Sequence, residues 1–313
     1  MKQKISIILP VYNEAEVIKE FSDTLHAVLD GISDRYRFEV VFCVDKSADD
    51  TKAIVKEICL ERSSVYLGLS KRFGHQMSLV AGIDYCSGEA AIMMDCDLEH
   101  PPSLIPTLLE KFEQGYDVVH TRRVYNEKTS FLKKTTSNIY YSMLSRLSSV
   151  TIEEGSADFR LISRKCIDVF KNSIREQNQF LRGLFRWVGF EQCTCEFVSG
   201  KRHRGKSKYT TRRMLSFAIN GIVSFSKMPL VISAIIGLII ASLGFVYGAY
   251  TIVASLIVSQ RIPSGWPSTI SLIAFLGGLQ LSALGVIGRY IGEIFDEVKR
   301  RPMYIVEEEY RPK

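Results

Sequence analysis

Ala90-Ala-Ile-Met-Met94 is a short uncharged run that ends abruptly in Asp95-Cys96-Asp97, followed by Leu98-Glu99-His100-Pro101-Pro102. A run of that kind reads as a strand buried on both faces, and such strands belong to parallel sheets with helices on either side. Ligands of open sheets of this class bind beyond the carboxyl ends of the strands. Two carboxylates placed there, two residues apart, repel each other. A hard divalent cation offsets that repulsion and keeps coordination positions open for substrate phosphates. In a solvated loop the same spacing would carry no chemistry, so the strand-end position gives the pair its meaning.

The flanking sequence keeps the same rhythm. Residues 5–11 read as a strand, and 14–29 as a helix with an apolar face at Val17, Ile18, Phe21, Leu25 and Val28. Strand 38–44, helix 49–59, strand 65–69, helix 75–85, helix 102–114 and strand 117–120 follow. This alternation predicts an α/β fold, a mostly parallel sheet flanked by helices. Polar clusters stand after further strands, Tyr12-Asn13-Glu14 after the first and Asp45-Lys46-Ser47 after the second. No G-x-G-x-x-G follows any strand and no G-x-x-x-x-G-K-[ST] occurs, which argues against dinucleotide oxidoreductases and P-loop NTPases. Residues 129–200 are less regular and contain Gly155-Ser-Ala-Asp-Phe-Arg160.

Charge and hydropathy are segregated along the 313 residues. Residues 228–288 hold one charged side chain, Arg261, where the chain-wide 24% would put about 15. The uncharged stretches 228–260 and 262–288 each exceed the ~20 residues that cross a bilayer core. Between them, Arg261 to Pro267 makes a turn with Trp266 at the interface. The expectation is a C-terminal hairpin of two transmembrane helices, about 229–258 and 267–288. The net charge of +6 is concentrated in 201–227, which carries eight basic residues and no acid; without them the balance is 32 basic to 34 acidic. That placement suits anionic phosphates or lipid headgroups and argues against nucleic acid, although an ordinary positive-inside flank has the same charge. Basic flanks on both sides of the hairpin predict that a folded domain (1–208) and a tail (289–313) lie on the cytoplasmic side of the cell inner membrane. Residues 209–227 form an amphipathic juxtamembrane segment between them. Gly244/Gly248 and Gly288/Gly292, at four-residue spacing, permit close helix approach within the hairpin or in a homo-oligomer. The seven cysteines lack zinc-site spacing and read as reduced thiols, and residues 5–9 are too short for a signal-peptide core.

Ile8-Leu-Pro-Val-Tyr-Asn-Glu14, the Asp95–Pro102 block and Arg202-x-x-Gly-Lys-Ser-Lys-Tyr209 resemble family 2 glycosyltransferases of the GT-A fold. With the hairpin, the chain is similar to polyprenyl-phosphate glycosyltransferases of the bactoprenol glucosyltransferase type, and more distantly to dolichyl-phosphate mannose synthases. The likeness covers residues 3–305. It implies that Pro10, Tyr12, Asn13, Glu14 and Asp45 hold the nucleobase and ribose of a nucleotide-sugar, with Arg72 at the donor. It also implies that Asp95 and Asp97 bind Mg²⁺ or Mn²⁺ at the diphosphate. The family often has Asp-Asp-Gly-Ser where this chain has Val44-Asp45-Lys46-Ser47.

Asp158 matches the position of the family's catalytic aspartate. A phosphate-monoester acceptor, with a second pKa of about 6, is already ionised at pH 7. Asp158 is then expected to orient the acceptor site or take a residual proton, unless it only forms a structural ion pair with Arg160 or Arg164. Arg122, Arg202, Arg204, Lys206, Ser207 and Lys208 would receive the lipid phosphate, with Arg202 also catalytic, because only cations reduce the repulsion between two anionic reactants. Gln179-Phe-Leu-Arg182-Gly183 is an imperfect match to the Q-x-x-R-W of processive synthases.

The implied reaction is inverting transfer of a sugar, glucose by resemblance, from a UDP-sugar to polyprenyl (undecaprenyl) phosphate, supplying surface glycan modification. Two rivals stand beside it. A processive polysaccharide synthase would need more spanning helices, and a non-catalytic membrane adaptor would have no use for intact Asp95 and Asp97.

Overall fold

The computed structural model describes residues 2–124, 155–198, 228–257 and 265–312. Among them, eight strands form one sheet: β1 (Gln3–Val11), β2 (Tyr36–Val44), β3 (Val65–Leu69), β4 (Ala90–Met93), β5 (Val118–Val124), β6 (Ser156–Ser163), β7 (Gln192–Val198) and β8 (Val306–Tyr310). Their order is β7-β5-β6-β4-β1-β2-β3-β8. The neighbours β3, β2, β1 and β4 are all parallel, as the strand–helix alternation predicts. β6 is inserted antiparallel between β4 and β5, and β7 runs parallel to β5 at the far edge.

The helices are α1 (Ile18–Asp30), α2 (Thr51–Glu61), α3 (His75–Tyr85), α4 (Ile105–Glu113), α5 (Arg164–Asn172), α6 (Leu181–Trp187), α7 (Met228–Ile257) and α8 (Trp266–Lys299). Ile5, Ile7, Leu9 and Val11 of β1 pack with Ile18, Phe21 and Leu25 of α1, Val55 of α2 and Leu108 of α4 in the main core. The intervening residue Ile8 faces α3, which lies so close that a Cβ at Gly82 would stand 2.1 Å from Ile8 Cγ2. Only glycine permits that approach.

Two expectations from the sequence are revised. The stretch 129–200, read as irregular, contains β6, α5, α6 and β7. Ala157, Phe159 and Leu161 alternate into the core with strand period, and Asp158 and Arg160 between them mask the pattern. The 289–313 tail is also divided. Helix α8 continues to Lys299, and residues 306–310 add to the sheet antiparallel to β3.

The chain forms two compact units, Met1–Ala218 with Arg301–Lys313, and Ile219–Arg300. In the second unit α7 has 30 residues without an Asp, Glu, Lys or Arg. Leu238, Leu243 and Val246 on it, and Ile273, Leu281 and Leu284 on α8, are exposed. Among the described residues, which leave out several side chains within both helices, no helix is long and apolar enough to cross a membrane.

At the opposite end of the sheet from the carboxyl rim, Glu39 of β2 ties β1 to the turn that leads into β4. It accepts from Ser6 Oγ at 2.7 Å, Lys4 Nζ at 3.0 Å, and Ser87 N–H and Oγ at 2.9 and 2.8 Å. Burial alone would raise its pKa, but these donors outweigh burial and lower it from 4.5 to about 2. A depressed carboxyl pKa contributes stability above the unfolded value and loses it as pH falls through the folded one. Glu39→Gln should therefore cost roughly 2–4 kcal/mol at pH 7. In thermal unfolding, the gap between wild type and variant should close as the pH is lowered from 4.5 toward 2.

Candidate active site

β1, β2 and β4 end side by side, so Tyr12-Asn13-Glu14, Asp45 and Asp95-Cys96-Asp97 emerge at one rim. Asn13 adopts φ 53°, a left-handed conformation that asparagine tolerates better than most residues. Its N–H donates to Ser47 Oγ at 3.1 Å, and its Oδ1 accepts from the Ala48 N–H at 2.9 Å. The Glu14 N–H donates to Thr51 Oγ1 at 2.9 Å. The turns after β1 and β2 are thereby stitched into one ledge. Pro10 lies buried in β1 opposite Cys43, beneath that ledge.

Asp45 is 1% exposed, and both its oxygens are engaged: Oδ1 accepts the Phe73 N–H at 3.0 Å and Oδ2 the Gly74 N–H at 2.8 Å. Gly74 has φ 97°, which a side chain would strain. The family resemblance implied that Asp45 helps to hold the nucleobase and ribose. In the structure its carboxylate first holds the loop that presents Arg72 and His75. The Arg72 guanidinium lies 4.0 Å above the Tyr12 ring, a cation–π pair that brings two expected donor residues together.

Asp95 is half-buried and doubly held. His75 Nε2 donates to its Oδ1 at 2.6 Å, and its own backbone N–H donates to His100 Nδ1 at 2.9 Å. A ring nitrogen that accepts carries no proton, so the ring N–H of His100 is on Nε2. The His100 ring is buried and stacks on Phe159, 5.3 Å between centroids. Desolvation disfavours both charges of the His75–Asp95 pair, but their attraction outweighs it, raising His75 to about 9 and lowering Asp95 to about 2. At neutral pH the two form an ion pair. Asp97 accepts the Glu99 N–H at 3.1 Å, while burial and the charges of Asp95 and Glu99 raise its pKa. Glu99 in turn pairs with Arg123 at 2.9 Å.

Asp158 projects from β6, the strand next to β4. Arg182 grips it with two bonds, Nε to Oδ1 at 2.8 Å and Nη2 to Oδ2 at 2.7 Å, and Arg160 Nη2 stands 3.3 Å from Oδ1. Burial opposes the carboxylate, yet Arg182 holds it far below the ordinary range. Arg164 is committed elsewhere, to Asp168. Arg182 sits in the first turn of α6, whose leading N–H, that of Leu181, donates to Gln76 Oε1 at 3.0 Å. Adjacent residues His75 and Gln76 thus link Asp95 to the helix that carries Arg182.

Sequence reasoning did not place His75, His100 or Arg182 at the site. The signal for Arg182 was the Q-x-x-R spacing. For His75 it was a polar side chain directly after the glycine that follows β3. Arg122, expected at the lipid phosphate, is ion-paired with Glu196, its partner in the parallel register of β5 and β7. Arg202, Arg204, Lys206, Ser207, Lys208 and the amphipathic segment 209–227 lie outside the described residues. Among the described residues no group of three His, Cys, Asp or Glu side chains is arranged for a metal ion. Asp95 and Asp97 remain as donors, and a mutually repelling pair of carboxylates suits Mg²⁺ or Mn²⁺, which fill their shells with phosphate and water.

The sequence model of glycosyl transferase family 2 matches residues 6–170, from β1 into α5. The uncharacterized glycosyltransferase YkcC of Bacillus subtilis (strain 168) is 39% identical over 306 residues, 97% of this chain and 94% of that one. The SfII prophage-derived bactoprenol glucosyl transferase of Shigella flexneri is 38% identical over 309 residues, 98% of this chain and 99% of that one. Among solved structures, mannosyl-3-phosphoglycerate synthase from Rubrobacter xylanophilus superposes with a TM-score of 0.47 at 15% identity, covering 71% of this chain and 73% of that one, a likeness too distant to bear on function. With the matched region taking in the whole rim from Asn13 to Asp158, and relatives alike from end to end, this chain belongs to glycosyl transferase family 2.

Proposed function

We propose that the chain transfers glucose from UDP-glucose to undecaprenyl phosphate, with inversion at the anomeric carbon, at the cytoplasmic face of the cell inner membrane. The observation that carries this reading is the 38% identity to a bactoprenol glucosyl transferase across 98% of the chain, helices α7 and α8 included. The uncharged length of α7 and the exposed apolar side chains on both helices support a membrane hairpin. The basic block 201–227 supports a cytoplasmic catalytic unit.

The attacking group is a phosphate oxygen of the lipid, already ionised at neutral pH, so no side chain has to remove a proton. Asp158 is unsuited to that task in any case, since protonation would break its two bonds to Arg182. Its work is to orient the guanidinium. Arg182 and the basic residues 202–208 are the cations that let the lipid phosphate approach the donor's diphosphate. The Arg72–Tyr12 pair and the Asn13 ledge receive the nucleoside. Asp95 and Asp97 would hold Mg²⁺ or Mn²⁺, which supplies Lewis-acid stabilisation of the departing diphosphate when bound. His75 keeps Asp95 ionised and fixed in direction.

Label transferred from UDP-glucose into an organic-extractable, mild-acid-labile lipid measures the reaction. Asp97→Asn should reduce it by about 10³-fold or more while the melting temperature stays near wild type, and excess chelator should silence the wild type. Persistent turnover in either case contradicts the metal role. In wild type the rate should fall as pH drops through about 6, where the acceptor phosphate takes up its second proton. Asp158→Asn should lower the rate by roughly 10²-fold at every pH and leave that acid limb in place. A limb displaced by the substitution would mean that Asp158 exchanges a proton during turnover.

A further inference from the structure

The chain beyond α8 does more than complete the sheet edge. Gln177 Nε2 donates to the Arg301 carbonyl at 2.6 Å. Gln179, 5% exposed, donates through Nε2 to the Ile174 carbonyl at 3.1 Å and to Met303 Sδ at 3.4 Å. Tyr304 donates its hydroxyl to Asp84 Oδ2 at 2.6 Å, and Arg175 Nη1 reaches the same carboxylate at 2.8 and 2.9 Å. The loop between α5 and α6 is thereby fastened at two points, directly to residues 301–303 and, through Asp84 at the end of α3, to Tyr304. Two residues after Gln179 α6 begins, with Arg182 in its first turn.

An irregular loop costs ~1–2 kcal/mol of conformational entropy for each residue it fixes, so its place has to be held by contacts outside itself. Gln179 also makes a poor choice for stability alone. Its Oε1 is buried without a partner among the described residues, a cost that a methionine of similar volume would avoid, although methionine would also take the Nε2 donor from the Ile174 carbonyl. What glutamine adds is direction, one amide spanning the loop's own backbone and the strand-bound C-terminal segment.

We propose that residues 301–304 are a positioning strap for Arg182. By holding Gln179, and Arg175 through Asp84, the strap sets the first turn of α6 and hence the orientation in which Arg182 meets the acceptor phosphate. The inference rests on the reading of Arg182 as an acceptor-side cation. The donor-side loop 70–74 has its own clamp in Asp45. Its further bond from the Ser70 N–H to the Ile305 carbonyl, 3.0 Å, is backbone to backbone and is untouched by side-chain changes at 179 or 304.

The test uses the full-length protein in lipid nanodiscs, with Gln179→Met and, as the gentler change, Tyr304→Phe. Amide exchange should rise by about 10-fold or more across residues 173–182 in each variant. The kcat/KM for undecaprenyl phosphate should fall by roughly 10- to 100-fold, while the Kd for UDP in the presence of Mn²⁺ stays within about 2-fold of wild type. Unchanged exchange in both variants overturns the strap. So do unchanged acceptor kinetics despite raised exchange, or UDP affinity lost in step with acceptor kinetics. Should the wild type make no glucosyl lipid, the glucosyltransfer reading falls on its own, and the exchange measurement alone decides on the strap.

Discussion

The sheet gathers Asp45, Asp95, Asp97, Glu99 and Asp158 at one rim, where partial desolvation makes like charges repel more strongly than they would in bulk water. Counter-groups therefore hold four of them. Asp45 takes two backbone N–H groups, Asp95 takes His75, Glu99 takes Arg123, and Asp158 takes Arg182 with Arg160 beneath. Burial and the charges of Asp95 and Glu99 raise the pKa of Asp97. Details that look incidental follow from this constraint. The left-handed Gly74 lets the loop offer two consecutive N–H groups to Asp45, and the histidine immediately after it lands on Asp95.

Arg160 shows the cost of the arrangement. It is 1% exposed, its Nη1 has no hydrogen-bond partner among the described residues, and burial lowers its pKa to about 10. The Phe185 ring 4.8 Å away and the Ala157 carbonyl at 2.8 Å recover part of its lost hydration. Burial and Arg160 together lower His120 to about 3, which keeps that imidazole neutral and adds no second buried charge. Buried ion pairs are weak sources of stability but strong sources of fixed geometry once formed. Here the fixed geometry belongs to Asp158, the anchor of Arg182.

Much of this was legible in the sequence, and the limits have physical causes. The parallel half, β1 to β4 with α1 to α4, was readable because the carboxyl-terminal part of each strand is buried on both faces and is a run of apolar residues. β6 escaped because one of its faces carries Asp158 and Arg160, which interrupts the apolar run that marks a buried strand. β8 escaped because an edge strand of sequence Val306-Glu-Glu-Glu-Tyr310 has almost no apolar face. At the site, Asp95 and Asp97 were found because paired acids at a strand end are exceptional, and Asp158 only through the family resemblance, since the strand that carries it was not read. His75 and Arg182 were not, since their significance depends on partners 20 and 24 residues away. No local pattern states that Asp45 is taken up by two N–H groups of a distant loop, or that Arg122 faces Glu196.

The central claim is that Asp158 acts by holding Arg182 and not by exchanging a proton. A double-mutant cycle on glucosyl transfer to undecaprenyl phosphate, with Asp158→Asn, Arg182→Gln and the double variant, tests it most directly. If the aspartate works only through the arginine, the double variant will be no slower than the slower single variant. Losses that multiply, so that each substitution costs as much in the presence of the other as alone, would show two independent roles and contradict the account.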